Sequence, residues 1–352
     1  MKRFRSGLRS SIPAALALVL VLAACSAPAP APTTNPSAQG DDELQSLVEA
    51  AQAEGRLVWY TATLEPQALR VAEAFKAQYG IDVELSRLSS ADIIARYQAE
   101  ADSGNTVADV IVPSYTGFVA DGVAAGTLTA LADADVPGYP GDYPADYLLT
   151  DEGTAIIMSW PVGIGYNSDL VDPKDVPKTW KDLADARWKN ELLLVEPSTA
   201  EWYQALFDLL LDKYGDEYLE KIGENTRRFS RSLIPNVEAM GAGEGAISMP
   251  ALGPTIADAK AAGAPVDFVQ LDFSTGYEFI IGISADSPSP NAARLFAHFL
   301  LFGEGQEIFD SYEGIFAPGV STKIPEEYTH PLEGYWDDDR RQKVEQLLGV
   351  TG

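Results

Sequence analysis

Hydroxyl side chains gather where the apolar runs of this chain end. Thr61 and Thr63 follow Leu57-Val58-Trp59-Tyr60, and Ser114, Tyr115 and Thr116 follow Val110-Ile111-Val112. Ser198 and Thr199 follow Leu192-Leu193-Leu194-Val195, and Ser230 and Ser232 flank Arg231 after Phe229. A hydroxyl both donates and accepts, and the arginine fork holds a carboxylate or phosphate through two parallel bonds. Side chains of these types recognise a ligand. Trp160, Trp202 and Tyr277 add aromatic surface that can wall a site. The candidate ligand-binding set is Thr61, Thr63, Ser114, Tyr115, Trp160, Ser198, Thr199, Arg231, Ser232 and Tyr277. Each has an ordinary competing duty. Serine and threonine cap helices, an arginine in an acidic chain pairs with surface carboxylates, and Trp202 can be core. Glu196, beside the third cluster, suits an amine, so the pattern alone does not make the ligand purely anionic.

Bond-making chemistry finds little support. The chain has no GxSxG elbow, no HExxH, no CxxC and no metal-spaced histidine cluster. Its two histidines, His298 and His330, both lie late, and His298 falls within a helical pattern as a packing or surface residue. With 52 acidic residues a carboxylate pair is available in principle, but nothing places one in a cleft. The reading is of a binding protein with no catalytic residues, no cofactor and no resident metal. The 52 acids outnumber 25 basic residues, for a net charge of −27. A field of that sign repels nucleic acid and anionic lipid, which excludes nucleic acid as a partner.

The elements that must carry these residues alternate. Helical periodicity over 44–54, 66–79, 90–102, 199–214, 255–262, 291–302 and 305–311, with a further helix containing Val237 and Met240, is interleaved with short apolar strands. The strands are predicted at 56–60, 81–85, 109–112, 155–158, 163–166, 192–195, 228–230, 246–249 and 279–283. Alternation of this kind signals an α/β architecture. In open α/β sheets ligands sit beyond the carboxyl ends of strands, where helix N-termini present free N–H groups suited to anions. The hydroxyl clusters occupy those positions.

Ahead of this body, Lys2, Arg3, Arg5 and Arg9 precede an apolar stretch from Ala14 to Ala24, which closes on Leu22-Ala23-Ala24-Cys25. The stretch is too short for a mature membrane span, which needs roughly 20 apolar residues. A basic head, an apolar core and small residues before a lone cysteine make an export signal of the lipoprotein type. Residues 1–24 are then a signal peptide. Cys25 carries the lipid, palmitate-type acyl chains included, since stable anchoring takes more than one chain. No cysteine remains for a disulfide. Residues 25–40 complete a Pro-, Ala- and Ser-rich spacer of about 3 Å per residue.

Three stretches carry a resemblance. Leu57-Val58-Trp59-Tyr60-Thr61-Ala62-Thr63 with Tyr79-Gly80-Ile81 is one. Ala108-Asp109-Val110-Ile111-Val112 with Ala125-Gly126-Thr127-Leu128 is the second, and Ala293-Arg294-Leu295-Phe296 through Gly305-Gln306 to Gly314-Ile315-Phe316-Ala317-Pro318 the third. In this order they resemble the extracellular solute-binding proteins of ABC importers, type II periplasmic-binding fold, in the iron(III)-binding-like branch. The resemblance covers most of residues 44–325. It implies two lobes, each a sheet flanked by helices, with two hinge crossings and ligand captured between the lobes by closure. Residues 41–155 plus 278–352 are expected to form lobe 1, and 156–277 lobe 2. The implied partners are a small-molecule ligand and an ABC permease in the membrane, with the chain a monomer tethered through Cys25 to the extracytoplasmic face. Iron-binding relatives commonly carry paired tyrosines after the strand that here reads Ala246-Ile247-Ser248-Met249; Pro250-Ala251-Leu252-Gly253 stands there instead. That departure favours a small polar solute, anionic or phosphorylated. A ferric receptor using Tyr60, Tyr115, Tyr166 or Tyr277, and a lipid-anchored extracellular hydrolase, are the alternatives.

Overall fold

Leu57 to Tyr60 are four apolar residues in a row, and such a strand is stable only with both faces covered. In the computed structural model, which describes residues 36–114, 116–149, 153–331 and 338–350, β1 (Arg56–Thr61) is buried from its second residue onward. It pairs in parallel with β2 (Asp82–Arg87) and β3 (Val110–Val112). Helix α1 (Pro36–Glu54) precedes this set, α2 (Glu65–Tyr79) and α3 (Ser90–Ser103) form its crossovers, and α4 (Thr116–Ala125) follows β3. Residues 36–40, expected to belong to the spacer, are therefore helical. Proline is tolerated in a first helical turn, where its missing N–H has no intrahelical acceptor. Two-residue pieces β4 (Leu128–Thr129) and β5 (Leu148–Leu149) add edges to the strands that follow.

The chain leaves this unit along β6 (Thr154–Asn167), a single strand where the sequence suggests two short ones. Beyond it come β7 (Leu192–Val195), α5 (Glu201–Tyr214), α6 (Asp216–Asn225), β8 (Thr226–Ser230), α7 (Leu233–Gly241), β9 (Ile247–Leu252), α8 (Gly253–Ala261) and β10 (Val266–Val269). The return runs along β11 (Gly276–Ser284) into α9 (Pro290–Phe302) and α10 (Glu304–Asp310), with α11 (Asp338–Leu348) last. The strand order is β2-β1-β3-β11-β6-β9-β7-β8. Parallel sets lie at both ends, β2-β1-β3 and β9-β7-β8, joined through the antiparallel β11/β6 pair.

Pro161 sits where β6 changes partner, from Gly276 of β11 to the β9 side at Val162 and Leu252. A residue without an N–H interrupts a ladder least at such a handover. Gly163 lies against the β10 backbone so closely that a Cβ would stand 2.4 Å from the Val269 carbonyl oxygen. Only glycine permits that approach.

Two fully buried polar side chains tie the first unit together, and both belong to the stretches that carry the resemblance. The Asp109 carboxylate accepts from the Val58 N–H at 2.7 Å, the Ser287 hydroxyl at 2.6 Å and the Ser289 N–H at 2.8 Å, joining β1 to the entry of α9. Gln306 donates to the carbonyls of Ile157 and Leu300 and accepts from the Gly319 N–H, fastening α10 to β6. Around them Trp59 and Phe75 meet Phe296 edge-on with ring centroids 5.0 and 4.9 Å apart. Such pairs add about 0.5–1.5 kcal/mol beyond the area they bury.

Helices α4, α6 and α11 are absent from the expected elements, and α11 packs on α6 and α5. Arg340 bridges to Asp208 at 2.9 Å and Asp212 at 2.6 Å, and Lys343 to Asp216 at 2.8 Å. The C-terminal helix thus packs on helices α5 and α6 of the second unit, whereas residues 278–352 are expected in lobe 1. The physical reason is long range: Val344 and Leu348 find their apolar partners, and the arginine its carboxylates, on helices more than 100 residues earlier. Among the described residues no helix is long and apolar enough to cross a membrane. Cys25 and the signal lie outside the described residues.

Candidate functional site

The carboxyl ends of both parallel sets converge on the middle of the β6/β11 pair. In the first unit the Pro113 carbonyl, just past β3, accepts the Ile280 N–H at 3.0 Å. In the second, Leu252 at the end of β9 pairs with Val162, and Glu196 past β7 bonds Ser230 at the end of β8. Between these ends Tyr277 stands opposite Trp160 in the ladder. Because side chains alternate faces along a strand, Tyr277 and Trp160 share one face, while their neighbours Glu278 and Ser159 share the other.

Four aromatic rings build the junction. Tyr277 contacts Trp160 at 5.5 Å and Trp202 of α5 at 5.7 Å, and Trp202 lies 4.0 Å from Tyr203. Trp160 is 8 % exposed and its indole N–H has no acceptor among the described residues. The Ser114 hydroxyl donates to the Tyr277 phenol at 2.6 Å and lies 2.7 Å from the Ser90 hydroxyl, which also accepts the Ser114 N–H. Burial pushes the Tyr203 phenol up to about 12, against the Leu233 N–H that bonds to it at the start of α7. The first unit, the crossing strands and the second unit therefore all meet around Tyr277.

Other predicted residues serve different ends. Thr61 and Thr63 are fully buried; the Thr61 hydroxyl donates to that of Thr63 and accepts the Thr63 N–H, which folds the loop after β1. The Thr199 hydroxyl donates to the Glu196 carbonyl at 2.8 Å, closing the turn before α5. Ser198 is half-buried in that turn, and Ser232 is the exposed N-cap of α7, without a side-chain cap bond. Arg231 is exposed and has no ion pair or hydrogen bond among the described residues. Tyr115 lies outside the described residues. The structure brings together Ser114, Trp160, Tyr277 and the third aromatic, Trp202, and leaves Arg231 and Ser232 at an open rim.

Ser90, Tyr203 and Arg87 escaped the sequence reading. Arg87 closes β2 and is held through Nε on the Thr63 carbonyl at 3.2 Å. All three follow the rule already in use, since each lies at or just beyond the carboxyl end of a strand or in the helix that follows. The Ser89-Ser90 pair hid the role of Ser90, because only Ser89 is needed as the N-cap of α3.

The N-cap residues of α2 and α5 make no side-chain cap bond, whereas the first N–H of α7, that of Leu233, is taken by the Tyr203 phenol. Unpaired N–H groups at such ends, with their positive dipole, suit an anion. Among the described residues no group of three or more His, Cys, Asp or Glu side chains is placed to hold a metal. Of the phenols named for iron, Tyr60 is buried and donates to Glu100 at 2.8 Å, and Tyr166 lies half-buried beside β10. A separate hollow of about 230 Å³, lined by Pro161, Phe268, Gln270, Ile315, Phe316 and Lys323, contains none of the predicted residues.

A profile of the bacterial extracellular solute-binding proteins matches residues 70–330. The chain is 25% identical over 268 residues to an uncharacterized protein of Haemophilus influenzae, a match spanning 74% of this chain and 76% of that one. Its fold is similar to the periplasmic binding protein AfuA from Actinobacillus pleuropneumoniae, solved with fructose-6-phosphate bound. The TM-score is 0.57 at 19% identity over 84% of this chain and 99% of the other. It is also similar to iron-bound HitA from Pseudomonas aeruginosa, with a TM-score of 0.60 at 16% identity over 84% and 97% of the two chains. These likenesses show the two-lobe type II periplasmic-binding fold.

Proposed function

This chain belongs to the bacterial extracellular solute-binding proteins, a family that works outside the cytoplasm, and from that premise we propose that it captures a small anionic organic or phosphorylated solute for an ABC importer. The ligand lies between the lobes, beyond the strand ends that converge on Tyr277 and Trp160. Closure completes a site that neither lobe has alone, and the permease reads the closed form.

The observation that carries the anion reading is the surplus of donors. The N-termini of α2 and α5 lack side-chain caps, and Arg231 has no ion pair among the described residues. Arg87 uses one nitrogen on a carbonyl, and the Trp160 N–H has no acceptor among the described residues. A negative oxygen satisfies such groups; a cation does not. A phosphorylated sugar sits in one protein of similar fold, which is consistent with this chemistry. Thermal-shift screening of sugar phosphates, phosphonates, carboxylates, iron(III) and cationic amines tests the reading. Stabilisation by an anion is expected, and stabilisation by iron(III) or an amine alone would overturn it.

The tether is part of the same proposal. Cleavage before Cys25 and lipidation of its thiol would hold a monomeric receptor at the outer face of the membrane, raising its effective concentration beside the permease. Mass spectrometry of the membrane-extracted protein should find an acylated N-terminal Cys25, and Cys25→Ser should release the protein into the soluble fraction. An unmodified Met1 terminus on membrane-extracted protein would refute this.

A further inference from the structure

The hydroxyls of Ser90, Ser114 and Tyr277 form a chain whose direction can be read. A serine hydroxyl has one proton to give. That of Ser114 goes to the Tyr277 oxygen at 2.6 Å, so in the 2.7 Å contact between Ser90 and Ser114 the proton must come from Ser90. The Ser90 oxygen meanwhile accepts the Ser114 N–H at 3.0 Å, which orients it for that donation. Every link points toward Tyr277. The phenol oxygen accepts, and the phenol proton has no partner among the described residues.

Packing holds the phenol in place. Trp160, Trp202 and Phe279 contact its ring at 5.5, 5.7 and 5.2 Å, so the free O–H stands where the lobes meet. Trp160, more than nine-tenths buried, contributes a second donor without an acceptor beside it. The carboxyl nearest in sequence, Glu278, faces away and bonds Tyr328 and His330.

We infer that Tyr277 is a specificity-determining donor, giving its phenol proton to an anionic oxygen of the ligand, and that Ser90 and Ser114 are positioning residues that set its polarity. This rests on the anion reading proposed above and adds which group makes the discriminating bond. By contrast, a metal ligand would require the phenol to lose the proton that this chain leaves free.

Calorimetry on the protein purified from the full-length sequence, with inorganic phosphate, fructose 6-phosphate, succinate and iron(III) as probes, tests it. For an anion that binds, Tyr277→Phe should weaken binding about 10- to 100-fold, the range for a bond to a charged group, while its melting temperature stays near wild type because the ring contacts remain. Ser114→Ala should weaken binding less, and Ser114→Thr should restore it. Adding Ser114→Ala to Tyr277→Phe should cost nothing further, because the serine acts through the phenol; a purely structural serine would give additive losses. An anion bound equally by wild type and Tyr277→Phe would overturn the donor while leaving the anion reading intact. Additive losses would overturn the positioning role. Binding of iron(III) alone, with a phenolate absorption band lost in Tyr277→Phe, or of no probe at all, would remove the anion reading and the donor with it.

Discussion

Deleting one oxygen, in Tyr328→Phe, tests how the crossing strands are held together. On the face of β6/β11 away from the aromatic junction, the Tyr328 hydroxyl donates to Glu278 Oε1 at 2.7 Å and lies 2.6 Å from the Ser159 hydroxyl. Its proton goes to the carboxyl, so Ser159 is the donor in the second bond. His330 Nδ1 also lies 2.7 Å from Glu278 Oε1, while the other carboxyl oxygen, Oε2, is buried without a partner among the described residues. Burial raises the Tyr328 phenol well above its ordinary value, so it stays a neutral donor. The hydroxyl fills the space a side chain at position 276 would need, since a Cβ on Gly276 would stand 1.8 Å from it. Phenylalanine keeps the ring contacts with Tyr147, Phe316 and His330 but leaves Glu278 with one partner and Ser159 with none. An unsatisfied buried polar group costs about 1–3 kcal/mol, and two are affected, so a loss of about 2–4 kcal/mol is expected. Against a total stability of about 5–15 kcal/mol this is large. Urea unfolding followed by both tryptophan fluorescence and circular dichroism measures it, with coincident transitions as the check on two-state behaviour. A double-mutant cycle with Glu278→Gln should recover part of the loss as coupling. A destabilisation below about 0.5 kcal/mol, the range of neutral surface changes, would refute the reasoning and mean that water replaces the hydroxyl at no cost.

Arg231→Ala should leave stability within about 0.5 kcal/mol, since the side chain is exposed and unpaired, yet weaken an anionic ligand about 10-fold or more by calorimetry; unchanged affinity removes Arg231 from the site. Arg340→Met should cost about 3–5 kcal/mol in urea unfolding because Asp208, fully buried and already pushed upward in pKa by burial, loses its cationic partner. Combining it with Asp208→Asn should recover most of that loss. His298, whose Nδ1 lies 2.9 Å from the Pro137 carbonyl, is depressed below its ordinary value by burial. The unfolded chain therefore takes up the proton first, and stability falls as pH drops below about 6.5 toward the folded value. His298→Gln should flatten the stability profile in that window, and an unaltered slope would count against it.

The aromatic junction was legible in pieces. Tyr277, Trp160, Trp202 and Ser114 each stand out by type and by position after or within an apolar run. Their meeting did not show, because Ser114 and Tyr277 are 163 residues apart and only the β3–β11 pairing brings them together. Thr61 and Thr63 show the reverse. Their types suggested a ligand, but two hydroxyls two residues apart can satisfy each other and were buried doing so. Helix α6 was missed although Tyr218, Leu219 and Ile222 form its buried face.

Sequence by itself determined the alternation of strands and helices, the acidic charge and the family. All are written in runs of neighbouring residues, where side-chain type and spacing act directly. Tertiary structure alone decided that α11 packs on α5 and α6, that Asp109 and Gln306 are internal ties, and that Ser90, Ser114 and Tyr277 form one directed chain. The physical reason is that a hydrogen bond is set within a few tenths of an ångström. Such distances exist only after residues far apart in the chain have been packed against one another.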